Sequence, residues 1–290
     1  MNQAASIEHV SDTAFWVAYF RAKENARAQS LFHDPYAQKL AGARGKAFAE
    51  SAPRVSFYTE WTVIARTVII DRFIERAISE GIDAIINLGA GLDARPYRMN
   101  LPQKLRWIEA DYAKLIDYKT EVLRDEQPKC ALTRISVDLA DTQARQQFLQ
   151  NVVPDAKSVL ILTEGVIPYL SLDEVAVLAQ ELFAQQRFRY WVTEFIRKDV
   201  YKYLQSAARE GELQKTPFQF FPEEWYPFFA KFGWVEKETR FNSEIAAEFN
   251  RTIPMPLIGR IIVKLLPKRV REQALQSSGF VVFKRNDSNV

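Results

Sequence analysis

From residue 84 onward the chain alternates short apolar runs with stretches of helical period, and this alternation constrains its fold more than any other feature. The apolar runs are Ala84–Gly89, Leu105–Ala110, Leu132–Leu139, Ser158–Thr163 and Tyr190–Phe195. The helical stretches are Tyr112–Asp125, Thr142–Gln150, Leu172–Gln186 and Lys198–Arg209. Strands joined by crossovers of that length pair in parallel, with helices covering both faces of the sheet. Two later runs, Trp234–Phe241 and Gly279–Lys284, read as strands, with the basic stretch Pro256–Gln273 between them predicted helical. The apolar, basic character of that stretch would also suit a membrane surface. A crossover helix packed on the sheet is the stronger reading, because strands flank it.

The first 80 residues have a different period. Ser11 or Asp12 is placed to cap a helix carrying Phe15, Tyr19, Ala22 and Ala26 on one face. Asp34-Pro35 interrupts it, and Pro35 is expected in the first turn of the next helix. Phe57, Trp61, Ile64, Ala65, Val68, Ile69, Phe73 and Ala77 recur at three and four. That spacing predicts an amphipathic helix of about six turns, stopped at Gly81.

Composition excludes several classes. In 290 residues, 48% are hydrophobic, and 39 basic residues nearly balance 36 acidic ones. A net charge of +3 gives no footing for a nucleic-acid partner. Cys130 is the single cysteine, so neither an internal disulfide nor a cysteine-based metal site is expected. No run approaches the roughly 18 apolar residues of a membrane span, and the first residues lack a signal-peptide pattern. A soluble cytoplasmic protein without stable membrane association is expected. With 20 Phe, 11 Tyr and 6 Trp the chain can build an apolar pocket or simply a core. The aromatic, Pro-containing stretch Thr216–Phe229 is the candidate lid or pocket wall.

The first apolar run ends in Asn87-Leu88-Gly89-Ala90-Gly91. A Gly-x-Gly turn at the carboxyl end of a parallel strand lets a nucleoside-like ligand approach the main chain. Asp111 follows Gly91 by 20 residues, where an acidic residue can accept hydrogen bonds from a ribose. Asp138-Leu139 ends the third run and Glu164-Gly165 the fourth. Taken singly, each has a bland alternative: a tight turn for the glycines, helix caps for Asp111 and Asp138. Glu164 is harder to dismiss, because an unpaired buried carboxylate is costly. Gly89-x-Gly91-x-x-Ala94 also fits the loose dinucleotide fingerprint of a nicotinamide or flavin enzyme. However, Arg95-Pro96 falls where a pyrophosphate-binding helix should run uninterrupted. A cofactor with ribose and adenine but no phosphate, S-adenosylmethionine, needs no such helix.

The ordered patches resemble the leucine carboxyl methyltransferase family of class I S-adenosylmethionine-dependent methyltransferases. They are Thr13-Ala14, Arg21-Ala22-Lys23-Glu24, His33-Asp34-Pro35-Tyr36, Ala65-Arg66-Thr67 with Asp71, Asn87 to Arg98, Glu109-Ala110-Asp111, Asp138-Leu139 and Thr163 to Leu170. The resemblance runs over roughly residues 12 to 170 and fades afterwards. It implies a Rossmann-like, mostly parallel seven-stranded sheet with helices on both faces, the last strand antiparallel and a helical N-terminal cap. It divides a single domain into a cofactor-closing block (1–80), a cofactor-binding core (81–195), a substrate-side insertion (196–232) and a terminal strand pair with its connecting helix (233–290). By the same resemblance Lys23 and Arg66 hold the cofactor carboxylate, and Gly89, Ala90 and Gly91 underlie its methionine part. Asp111 with Tyr112 takes the ribose, and Asp138 with Leu139 the adenine. Glu164 lies near the cofactor amine or reaction centre, and Tyr169 faces the substrate. No metal is implied.

Methyl transfer is an in-line displacement in which alignment of the nucleophile matters most. A hydroxyl acceptor needs a base, usually His, and the chain has only His9 and His33, neither in a strand-end loop. A carboxylate is already ionised at neutral pH. O-methylation of a carboxylate is therefore the expected chemistry, on a small molecule first and a protein C-terminus second. Glu164 or an activated Tyr would be the base if the acceptor were a hydroxyl or phenol. A nicotinamide-dependent oxidoreductase and a non-catalytic cofactor-binding protein are the rival readings.

Overall fold

The computed structural model describes residues 13–51, 53–198, 200, 218–253, 263 and 265–287. His9, the expected caps Ser11 and Asp12, most of the helix expected at Lys198–Arg209 and the first part of the basic stretch lie outside these residues.

Seven strands form one sheet: β1 (Ala84–Leu88), β2 (Arg106–Asp111), β3 (Ala131–Ser136), β4 (Val159–Thr163), β5 (Phe188–Ile196), β6 (Trp234–Phe241) and β7 (Ser278–Arg285). Their order is β3-β2-β1-β4-β5-β7-β6. Strands β1 to β5 pair in parallel, and β7 is antiparallel to both neighbours. Only β7 is thus reversed, as the resemblance implied. The chain runs outward from β1 to β3 and returns to β4, so the strand order reverses between β1 and β4. In open α/β sheets ligands bind in the crevice at such a point, outside the carboxyl ends of the strands.

The continuous apolar runs follow from burial on both faces. β1 and β4 are buried throughout, yet successive side chains enter different cores. Ala84, Ile86 and Leu88 join Ile108, Val159 and Ile161 on one face. Ile85 joins Trp107, Leu160 and Leu162 on the other. The second face is covered by α3 (Pro53–Ser79), through Ile64, Val68 and Phe73, and by α9 (Asn242–Glu248), through Ile245 and Ala246. Helix α3 ends before Gly81, which takes φ +93° at the expected stop. Phe57 opens its apolar stripe but is 50% exposed, because the buried stripe starts at Trp61. The helices α1 (Thr13–Asn25) and α2 (Ala37–Ser51) pack their aromatics Phe15, Phe20 and Phe48 against Leu92, Tyr97 and Leu115 as a third core. Pro35 lies in the turn before α2 rather than in its first turn, since Ala37 is the first helical residue.

The first face is covered by α6 (Thr142–Asn151), α7 (Leu172–Ala184) and the aromatic segment beyond residue 217. The described part of the expected lid is core: Phe220, Phe229 and Trp225 of α8 (Trp225–Ala230) pack with Trp191, Trp234 and Phe283. The basic stretch also departs from expectation. Pro267 lacks an amide donor and stands just before α10 (Lys268–Leu275), so the helix is interrupted there. No residue of α10 is buried, against a helix packed on the sheet. Its sequence Lys-Arg-Val-Arg-Glu-Gln supplies too few apolar side chains for a packing face. No helix among the described residues is long and apolar enough to cross a membrane.

Helix α7 begins with a capping box. The Ser171 hydroxyl accepts from the Glu174 amide, and the Glu174 carboxylate accepts from the Ser171 amide at 2.7 Å. Ser171→Ala is expected to cost about 1 kcal/mol, read as a lower urea midpoint at unchanged slope.

Candidate active site

The glycine turn follows β1 directly. Gly89 and Gly91 take φ +69° and +49°, a region costly for side chains other than glycine. A Cβ on Gly89 would lie 2.5 Å from Val166 Cγ2, and one on Gly91 would lie 3.4 Å from the Ala14 Cβ. The turn is therefore wedged between the segment after β4 and the start of α1.

The spacing from Gly91 to Asp111 closes as a contact. Leu88 stands opposite Ala110 in the β1–β2 register, so the two strand ends lie side by side. The Gly91 amide donates to Asp111 Oδ2 at 2.7 Å, and the Tyr112 amide to Oδ1 at 2.7 Å. At the next strand end, Asp138 Oδ1 accepts from the Ala140 amide at 2.9 Å. The Tyr112 hydroxyl bonds to the Asp138 carboxylate, and burial together with Asp138 and Asp111 raises its pKa. The carbonyl of Leu139 accepts from Arg145. Neither Asp111 nor Asp138 caps a helix. Tyr112 stands at the N-cap of α5 (Ala113–Val122) without a side-chain bond, and Asp141 caps α6. The structure thus gathers Gly89, Ala90, Gly91, Asp111, Tyr112, Asp138 and Leu139 at the carboxyl ends of β1 to β3.

Arg95-Pro96 forms only α4 (Arg95–Arg98), a single turn that ends at Met99. No long helix opens at the glycine turn, so the helix N-terminus that a pyrophosphate requires is missing.

The second group of residues lies at the end of β4. Glu164 takes two guanidinium partners: Arg95 donates to Oε2 at 2.7 Å, and Arg66 Nε stands 2.8 Å from Oε1. Arg95, 2% exposed, also donates to Asp71 at 2.7 Å and Asp93 at 2.9 Å. Arg98 holds Asp71 with both terminal nitrogens at 2.7 Å, and Asn87 donates to Asp93 at 3.0 Å. Burial works against ionisation of Glu164, but Arg95 and Arg66 outweigh it and lower its pKa. Asp93 is lowered in the same way, burial being overcome chiefly by Arg95. Both are anions at neutral pH.

Arg66 differs from Arg95. Its Nε is buried without a hydrogen bond, since Glu164 lies at ion-pair distance but off the N–H direction. Among the described residues its guanidinium makes no other ion pair. Lys23, in the last turn of α1, pairs with Glu60 of α3 at 2.5 Å.

Tyr169 ends the 3₁₀ turn Ile167–Tyr169. Its hydroxyl bonds to Thr13, and its ring meets Phe218 at 5.2 Å. Burial pushes its pKa up to about 12, with Arg66 pulling down and Glu194 pushing up. Tyr169 is therefore a neutral phenol at neutral pH.

Two residues of this site carry no role from the sequence. Arg95 is the hub of the charge cluster, and its identity as a hub emerges only when α3, the turn after β1 and the end of β4 meet. Glu194, near the end of β5, is 6% exposed. It accepts from the Gly165 amide and lies 3.1 Å from the Thr193 hydroxyl. Burial pushes its pKa up to about 7 against the Gly165 amide, its own amide and Arg66, while Glu164 pushes with it. An acidic residue inside the apolar run Tyr190–Phe195 was the available signal, the same one that singles out Glu164.

Comparison with known proteins agrees with this geometry. The family model of leucine carboxyl methyltransferase matches residues 14–183. A protein of Streptomyces avermitilis named as an S-adenosyl-L-methionine-dependent methyltransferase is 30% identical over 255 residues, 84% of this chain and 89% of its own. A relative from Frankia alni with the same description is 28% identical over 268 residues, 87% of this chain and 92% of its own. Among solved structures, a methyltransferase-named protein of Thermobifida fusca aligns with a TM-score of 0.55 at 14% identity, covering 94% of each chain. At that identity it attests the fold alone. With more than half of the chain matched by one family model, and glycine turn, acidic strand ends and buried arginines in order along it, the chain belongs to the leucine carboxyl methyltransferase family.

Proposed function

We propose that this methyltransferase transfers the methyl group of S-adenosylmethionine to an oxygen of a small molecule. The observation that carries the reading is Arg66, a largely buried guanidinium whose Nε has no hydrogen bond and whose one ion pair among the described residues is with Glu164. Leaving such donors unpaired is costly, and a planar fork suits a carboxylate. A cofactor ending in an amino-acid carboxylate meets that need. The cofactor supplies an electrophilic methyl group on a sulfonium.

The chain's residues divide the work as follows. Arg66 holds the carboxylate, with Lys23 assisting on release from Glu60. Gly89, Ala90 and Gly91 allow close main-chain approach to the methionine part. Asp111 and Tyr112 receive the ribose, and a carboxylate with two amide donors still has lone pairs to accept its hydroxyls. Asp138 and Leu139 take the adenine edge. Glu164, kept anionic by two arginines, faces the cofactor amine, and Tyr169 donates from its protonated hydroxyl toward the acceptor. A carboxylate acceptor, on a small molecule or a protein C-terminus, needs only alignment. A hydroxyl acceptor needs a base as well, and Glu194 favours this second reading. The expected setting is the cytoplasm, with no nucleic-acid partner and no stable membrane association.

The test is thermal shift. S-adenosylhomocysteine at a hundredfold excess over its Kd is expected to stabilise the fold by about 2.7 kcal/mol, visible as a rise of several degrees. Stabilisation by NADH with none by S-adenosylhomocysteine would sink the proposal in favour of an oxidoreductase. Cofactor binding without methyl transfer to any acid or phenol would leave a binding protein instead.

A further inference from the structure

Two carboxylates stand at neighbouring strand ends beside Arg66, and their surroundings divide them. Glu164 is locked as an anion by Arg95 and Arg66 at 2.7 and 2.8 Å. Glu194 is buried to 6% exposure and makes no ion pair among the described residues. Its oxygens are instead held by neutral donors, the Gly165 amide and the Thr193 hydroxyl. The strand register puts Thr193 beside Thr163, so Glu194, two residues before the end of β5, lies level with Glu164 just after β4, on the side of the sheet where ligands bind in such folds. Paired acidic groups whose environments differ in this way divide proton-transfer roles.

We propose that Glu194 is the proton acceptor of this site, and that the methyl acceptor is consequently a hydroxyl, of a phenol or another acidic alcohol, rather than a carboxylate. The inference rests on the methyltransferase reading above and narrows its acceptor. In the step it describes, the acceptor O–H bond breaks and its proton passes to a Glu194 carboxylate oxygen. The electron pair of the broken O–H bond stays on the acceptor oxygen, which forms the new C–O bond to the methyl group, and the pair of the broken methyl–sulfur bond stays with sulfur. The charged and titratable groups facing Glu194 are Arg66 from α3, Glu164 from the end of β4 and Tyr169 from the 3₁₀ turn. Arg66 favours the Glu194 anion, Glu164 disfavours it, and Tyr169 remains neutral. Burial leaves Glu194 titrating at about 7, so it is a competent base at neutral pH.

Two measurements on the full chain test the role. Infrared difference spectra taken across a pH titration are expected to show one buried carboxylic acid losing its proton near neutrality, absent in Glu194→Gln. This needs no acceptor, and a Glu194 that is ionised throughout overturns the proposal. The second follows methyl label from S-adenosylmethionine into a mixed set of phenols and carboxylic acids. Label is expected on hydroxyl oxygen. Glu194→Gln is expected to lower kcat by about 10²- to 10⁴-fold with KM little changed, and to remove the rise of kcat with pH. Partial rescue by Glu194→Asp is expected. Label on carboxylates alone, or a Gln variant of normal kcat and pH profile, overturns it. Calorimetric binding of S-adenosylhomocysteine to the wild-type protein separates the failures. If it binds and either arm fails, only the role of Glu194 falls; if it does not bind, the methyltransferase reading falls first.

Discussion

Arg95→Met is expected to destabilise the protein by about 3–5 kcal/mol, the range for breaking a buried charge pair from one side. The methionine preserves much of the side-chain volume, so the loss reports charge rather than a cavity. Three carboxylates lose a partner: Asp71, Asp93 and Glu164. Asp71 keeps Arg98, and Glu164 keeps Arg66. Among the described residues Asp93 loses its one ion pair and keeps hydrogen bonds from the Asn87 side chain and the amide of residue 95, so most of the cost falls there. Urea unfolding at pH 7 measures it, and a deficit below about 1 kcal/mol would reclassify the cluster as equivalent to a surface pair.

Acidification supplies a second signature. The folded pKa values of Asp93 and Glu164 lie below their ordinary values. Their stabilisation is therefore complete above the ordinary carboxylate range, roughly pH 4 to 5, and is lost as pH falls through the folded values. Without Arg95 these carboxyls accept protons more readily, so the gap between variant and wild type should narrow as pH falls. Glu194 has the opposite sign. Its folded pKa of about 7 lies above the ordinary value, so its contribution is complete in acid and lost as pH rises through neutrality. A gap that widened on acidification would contradict this account of the Arg95 cluster.

Regularity determined what could be read from the sequence. Each strand end is a local event, an apolar run that stops at a glycine or an acid. Gly89, Asp111, Asp138 and Glu164 were therefore visible, and the register then placed Gly91 on Asp111. Arg95 was visible only as the neighbour of a helix-breaking Pro96, because its partners come from positions 71, 93 and 164. Glu194 sat inside an apolar run, masked by the period that identifies β5. The errors have equally local causes. The aromatic content of Thr216–Phe229 suits lid and core alike, and packing against Trp191 and Trp234 places its described aromatics in the core. The basic stretch has helical period, but the period does not register that Pro267 interrupts it and that α10 buries nothing. Lys23 is not one of them: its pairing with Glu60 is a tertiary contact that no local pattern shows.

Arg66→Ala is expected to weaken S-adenosylhomocysteine binding by at least about a hundredfold. A carboxylate bound by a two-pronged guanidinium gains two charge-assisted hydrogen bonds, each worth about 1.5–3 kcal/mol. Losing both costs about 3–6 kcal/mol, and every 1.4 kcal/mol is tenfold in affinity. The fold should survive, because Glu164 retains the 2.7 Å bond from Arg95 and is not left as an uncompensated anion. That separates this variant from Arg95→Met, in which the expected loss is stability. Arg66→Lys should fall between wild type and Ala, since it keeps the charge but not the fork. Lys23→Ala serves as the internal contrast. Lys23 is 44% exposed on its side chain and already paired with Glu60, so an exposed ion pair worth at most about 1 kcal/mol limits what its removal can cost. Calorimetric titration with S-adenosylhomocysteine at fixed ionic strength ranks the four proteins. An Arg66→Ala variant with near-normal affinity would remove Arg66 from the cofactor site, whereas equal losses in Arg66→Ala and Lys23→Ala would mean that Lys23 leaves Glu60 and shares the carboxylate.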